Sequence, residues 1–309
     1  MALTTRTFVP GSLRRPLTSG LGPVCARLGS LWTAIAIGLS GCGDPAGSDG
    51  PPPPDPAASP RVVSLSPAMT TTLLDLAPDA NVVGRTPWCR GVDGAPVVGT
   101  LEGVDAELLV QVRPEVVLVQ PPVSGIDPVI LTLRDRLGFD LVARRLDGLE
   151  DVRTTITGMV ETGLVEPAAA AAWSDAAESG PDVDPHPAAG RRILLLHGLD
   201  PFRAVGTETF LDEMVRASGG LNALQRPGWI ELGVEAIAGL QPEIVVLIGG
   251  RMEESASLDA VPWRRRPKII TFDHPDVFEP SSRLPRVNDA FRDRIRDVGN
   301  DGGTSEVDA

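Results

Sequence analysis

The chain has no tyrosine, three histidines and three cysteines among 309 residues. Each shortage excludes something. A protein that grips a bare zinc or manganese ion brings three or four imidazole, thiolate or carboxylate ligands together. His186 stands in a proline-rich stretch, while His197 and His274 close predicted strands, where a hydrogen-bonded structural role is expected. No metal site is expected. Cys25 falls in an N-terminal leader and Cys42 in a lipidation signal, which leaves Cys89 without a disulfide partner. Beside Trp88, Cys89 is expected as a small buried residue. Positive charge is short too: 28 Lys and Arg against 41 Asp and Glu give a net charge of −13 and a pI near 4.7. A phosphate backbone is held by excess cationic charge, so nucleic acid is excluded as a partner. There is no G-x-S-x-G elbow, no G-x-x-x-x-G-K-[ST] loop, no H-E-x-x-H and no Cys-x-x-Cys. An enzyme is not expected.

What the first 60 residues do carry reads as an address and a tether. Arg6, Arg14, Arg15 and Arg27 make a positive start, and Leu28 to Ser40 is an apolar run of 13 residues. That is short of the roughly 20 that span a bilayer as a helix. Leu39-Ser40-Gly41-Cys42 resembles a bacterial lipobox, in which the cysteine is diacylated and becomes the mature N-terminus. Residues 1–42 are therefore read as a lipoprotein signal peptide and Cys42 as the lipidated residue. The protein is expected to be exported and lipid-anchored to a membrane, facing the periplasm or the cell exterior. Residues 43–60, rich in Pro and Gly, cannot bury a core and make a tether; residues 299–309 lack an apolar period and are expected to be a disordered tail.

Between these ends the chain says nearly the same thing twice. Residues 104–119, VDAELLVQVRPEVVLV, return 128 positions later as residues 232–247, LGVEAIAGLQPEIVVL, with Glu107, Pro114 and Glu115 matching Glu235, Pro242 and Glu243. Each copy reads as an amphipathic helix stopped by proline and followed by a buried strand. Short apolar runs from Val62 to Phe272 alternate with helical stretches, which predicts an α/β fold. Two Rossmann-like lobes with mostly parallel sheets are expected, residues 61–148 and 180–298, with a ligand cleft between them. Residues 149–179 carry Leu149, Val152, Ile156, Met159 and Val160 at helical spacing, then an alanine-rich run after Pro167. A single long connecting helix is expected there, about 45 Å if unbroken.

RVVSLSPAMTTTLLDL, VVGRTPWC, VVGTLEGVDAELLVQVRPEVVLV, the ILLLHGLDPFRAVGTETFLDEMVRASGGLNA block and FDHPDVFEPSSRLPRV resemble, in order and spacing, the substrate-binding lipoproteins of ABC importers for vitamin B12, ferric siderophores and haem. Within that family the B12-binding branch is the nearest likeness. The resemblance implies a monomeric receptor without a cofactor of its own, whose ligand is a cobalt corrinoid or an iron chelate and whose partner is an ABC permease. It implies docking to permease arginines through Glu107 and Glu235, a role the repeat also suggests. It places Trp88, Trp229 and Phe202 as aromatics gripping a flat macrocycle, with Ser66, Asp276 and Arg283 or Arg286 as polar contacts. Leu101 stands where B12-binding relatives can carry a further aromatic. The same fold also admits a non-transporting adaptor or a two-lobed enzyme.

Overall fold

The computed structural model describes residues 59–100, 103–178, 186, 188–250 and 252–300. The expected leader with Cys42, the tether up to residue 58, Leu101 and the tail from residue 301 lie outside the described residues.

The strands of the first lobe are short and apolar because both faces of their sheet are covered. β1 (Val62–Ser64), β2 (Val82–Arg85), β3 (Val116–Val119) and β4 (Asp140–Ala143) run parallel in the order β2-β1-β3-β4. Alternation along the strands sends Val62, Val116, Leu118 and Val142 to one face, under α1 (Pro67–Leu76). Val63, Val117 and Val119 go to the other, under α2 (Ala106–Val112) and α3 (Pro128–Leu137). Ser66, Asp105 and Asp127 cap these helices by accepting first-turn N–H groups, and Pro67 and Pro128 occupy first helical positions where no amide is missed.

The second lobe contains β5 (Arg192–Leu199), β6 (Phe202–Val205), α6 (Phe210–Ala217), β7 (Leu221–Asn222), β8 (Trp229–Leu232), α7 (Val234–Leu240), β9 (Ile244–Ile248), β10 (Lys268–Phe272) and α8 (Leu284–Asn300). Its sheet, ordered β10-β9-β5-β6-β8, is mixed: β6 pairs antiparallel with both β5 and β8. The tight reversal at Asp200-Pro201 makes this hairpin. It also puts Phe202 in a strand rather than a loop.

The internal repeat is explained by a lock between helix end and strand start. Arg113 and Gln241 end α2 and α7 in the left-handed region, at φ 44° and 46°. Arg61 and Arg192 then donate to the last helical carbonyls, Val112 O at 2.7 Å and Leu240 O at 2.9 Å, where the helix dipole favours a cation. In return the carboxylates of Glu115 and Glu243 accept the backbone N–H of Arg61 and Arg192. Glu107 and Glu235 take no part; both are exposed, in the first turns of α2 and α7.

The connector departs from the single helix expected. α4 (Leu149–Glu161) ends at Thr162, and Gly163 takes φ +72°. The N–H of Leu164 bonds Met159 O and that of Gly163 bonds Val160 O, a Schellman ending that turns the chain back. After Pro167, α5 (Pro167–Glu178) runs antiparallel to α4: Arg153 near the start of α4 bonds Ser174 at 2.5 Å and Glu178 at 3.2 Å near the end of α5. Glycine in the left-handed region and proline four residues later make a straight continuation impossible.

A strap, residues 273–283, also ties the second lobe to the first. Its Ser282 donates its N–H to Thr72 at 3.0 Å and its hydroxyl to Asp75 at 2.6 Å, while Trp173 of α5 donates to Ser282 O at 2.8 Å. Arg283 grips Asp75 with two hydrogen bonds, 3.0 and 2.8 Å. Burial pushes the Asp75 carboxyl up, but the hydrogen bonds from Arg283 and Ser282 outweigh it and hold the group below the usual carboxylate range; the Asp75 bond raises Arg283 in turn.

Candidate functional site

Between the lobes lies a cavity of about 280 Å³. Six chain segments reach it for local reasons. The capped start of α1 brings Pro67 and Ala68, and Gln120 follows the carboxyl end of β3. From the second lobe come Thr209 and Phe210 at the start of α6 and Trp229 at the start of β8. The strap supplies Phe278, Glu279 and Pro280, and the loop before α4 closes the wall with Leu146 and Asp147. The mouth lies beyond the carboxyl ends of β1 and β3, as expected for parallel sheets.

The apolar wall is an aromatic group. Trp229 has 46% of its surface open and Phe278 49%. His197 stands edge-on to Trp229 with ring centroids 4.8 Å apart and 6.4 Å from Phe278, and Phe210 lies 6.3 Å from Trp229. His197 owes this position to a bulge: Leu196 pairs with Ala204 and Gly198 with Arg203, so His197 is the extra residue that a bulge re-aims. Burial, then the charge of Arg203, lowers its pKa and keeps the imidazole neutral at pH 7. His274, by contrast, is structural: its Nδ1 accepts the N–H of Asp276 at 3.2 Å.

The polar wall has acceptors and carboxylates. Ser66 caps α1 and donates its hydroxyl to Gln120 Oε1 at 3.0 Å, so it orients Gln120 and is itself buried. Glu279 accepts from the Thr71 hydroxyl at 2.5 Å and from Arg90, tying the strap to the turn after β2. Asp147 pairs with Arg145 at 3.0 Å.

The other expected residues fall as follows. Trp88 is 48% exposed in the turn after β2 and is not on the cavity wall; its neighbour Arg90, by holding Glu279, brings that turn to the rim. Phe202 is 7% exposed and packs with Leu194, Ala204 and Leu232 in the core, because β6 pairs it with Leu232 of β8. It does not face the cleft. Asp276 lies 3.4 Å from Arg283, whose shorter bonds go to Asp75, and Arg283, with Arg286, lines a separate cavity of about 290 Å³ among α1, α5 and α8. Cys89 is buried, 3.1 Å from the Thr86 hydroxyl. Phe210, Phe278, Gln120 and Glu279 were not singled out. Phe278 had a readable signal, an aromatic between Pro275 and Pro280 in a loop with no helical or strand period.

No family profile matches the chain, and no curated protein sequence matches it. Solved structures do. A periplasmic haem-binding protein determined with two haems, BhuT, is 23% identical with TM-score 0.61, covering 78% of this chain and 99% of its own. A periplasmic haem-binding protein from Roseiflexus sp. RS-1, RhuT, is 18% identical with TM-score 0.60, covering 78% and 100%. The periplasmic vitamin B12-binding protein BtuF of Vibrio cholerae is 14% identical with TM-score 0.55, covering 80% and 99%. This chain has the two-lobed periplasmic solute-binding fold. The cavity between its lobes is therefore the place where that architecture presents a concave, largely preformed surface.

Proposed function

We propose that the protein is an extracytoplasmic, lipid-anchored receptor that captures a metal-chelate nutrient in the cleft and hands it to an ABC permease, with no bond made or broken. The observation that carries this reading is the half-open aromatic wall of Trp229 and Phe278 facing Gln120 across the lobe boundary in a solute-binding fold. Flat apolar surface suits a tetrapyrrole-like macrocycle. A corrinoid is the ligand we favour, because its amide rim matches Gln120, Thr209 and the carboxylate acceptors. The cavity of about 280 Å³ takes one face or edge of such a ligand; the remainder projects toward the rim, where Trp88 stands. Haem or a ferric siderophore is the second reading, supported by the solved haem-binding neighbours. Glu107 and Glu235, exposed on equivalent helices, are proposed as the two-point dock.

The test is titration of the purified protein with cyanocobalamin, haem and ferric hydroxamate and catecholate siderophores, followed by tryptophan fluorescence and calorimetry. Saturable one-to-one binding of a chelate supports the receptor, and the tightest ligand identifies its class. Absence of binding by all of them refutes the receptor and favours an adaptor; turnover of any of them refutes the non-enzymatic reading.

A further inference from the structure

The cleft lining has a charge pattern that the aromatic wall does not explain. Among its described lining residues two are carboxylates, Asp147 and Glu279, and none is an arginine, lysine or histidine. The cations nearest these groups are committed: Arg90 to Glu279, with Asp276 3.9 Å away, and Arg145 to Asp147. Two helices begin at the wall, and part of their first-turn donors is already used. The Met69 N–H goes to Ser66, the Asp212 N–H goes to Thr209, and Pro67 has none to give. The net charge of −13 adds a repulsive field for any anion approaching the mouth.

We infer that the cleft admits a metal chelate with no peripheral anionic charge and rejects one that carries carboxylates or a net negative charge. This rests on the receptor reading above and sharpens it. A ligand carboxylate pressed against this wall would lose its hydration and meet two carboxylates and no cationic side chain. A peripheral amide meets the opposite situation, since its N–H groups find the remaining lone pairs of Gln120 Oε1, Glu279 and Asp147, each of which already accepts at least one partner within the protein. The class selected is an amide-rimmed corrinoid or a neutral hydroxamate chelate. Haem with two free propionates and a tricatecholate iron complex are disfavoured.

The experiment compares ligand pairs that share a macrocycle and differ in rim charge: cyanocobalamin against its peripheral monocarboxylic acids, and iron protoporphyrin against its bis-amide. Calorimetry on the full chain should give at least tenfold tighter binding for the uncharged member of each pair, narrowing as salt screens the repulsion. Glu279→Gln keeps a partner for Thr71 while removing one charge, and should reduce the discrimination at least threefold with thermal unfolding checked alongside. Equal affinity within a pair, or tighter binding of the carboxylate form, overturns this inference and leaves the receptor standing; it would mean that Arg145 or Arg90 leaves its partner for the ligand. Failure of every member of both pairs to bind overturns the receptor reading and this inference together.

Discussion

Replacing Trp229 by alanine should weaken ligand binding by a predictable amount. Trp229 is 46% exposed and lines the cleft. A covered aromatic buries roughly 150–250 Å², so a flat ligand laid on the open part removes on the order of 100 Å² from water. At about 25 cal/mol per Å² this is ~2.5 kcal/mol, which at about 1.4 kcal/mol per decade is roughly a 60-fold rise in Kd. Trp229→Phe keeps a smaller ring in the same place and should stay within about fivefold, on the same area scale. The ring also rests against His197, so each variant is first melted to establish that it folds. Calorimetric titration then reads the affinity. A folded Trp229→Ala protein that binds within threefold of the native one would refute the reasoning, because the aromatic wall would not be what holds the ligand.

Phe202→Ala should behave oppositely: a buried core ring is lost at a cost of about 3–5 kcal/mol, visible in denaturant unfolding, with affinity of the folded fraction unchanged. Asp75→Asn breaks the charged grip of Arg283 on the strap. Because both partners are partly exposed, the loss should be about 1 kcal/mol at pH 7. The Asp75 carboxyl is held below its usual range, so its stabilisation is present above the unfolded value of about 3.9 and is lost as pH falls through the lower folded value. The deficit of the variant should therefore fade in melts taken at successively lower pH below 4. Charge reversal at Glu107 and Glu235 together should abolish uptake into cells while leaving affinity intact in solution; a drop in affinity of the purified variant would count against a docking role.

The α/β alternation and the duplicated unit were legible, because each rests on local chemistry: apolar runs, a helical period, and a proline that stops it. What the repeat was for was less legible. Pro114 and Glu115 serve a lock with Arg61, and Arg61 is 54 residues from Glu115; such a pairing leaves no periodic trace. The Gly163 and Pro167 interruption was visible, but the direction of the chain after it depends on a Schellman turn and on where α5 finds apolar cover, around Trp173 and the first-lobe core. Phe202 failed for a related reason. An aromatic following a strand looks like a loop residue until the antiparallel return to β6 is known. Trp229, expected from the resemblance, lies half exposed on the cavity wall at the start of β8, whereas Glu279 gains its place only when the strap crosses to Thr71 and Arg90.

The most direct test of the central claim is to locate the metal itself. Crystals grown with cyanocobalamin, measured at the cobalt absorption edge, should give one anomalous peak between the lobes, with the corrin face against Trp229 and Phe278 and its rim toward Gln120. A peak in the cavity formed by α1, α5 and α8 beside Arg283 and Trp173, or none in crystals of a protein that binds cobalamin in solution, would contradict the account.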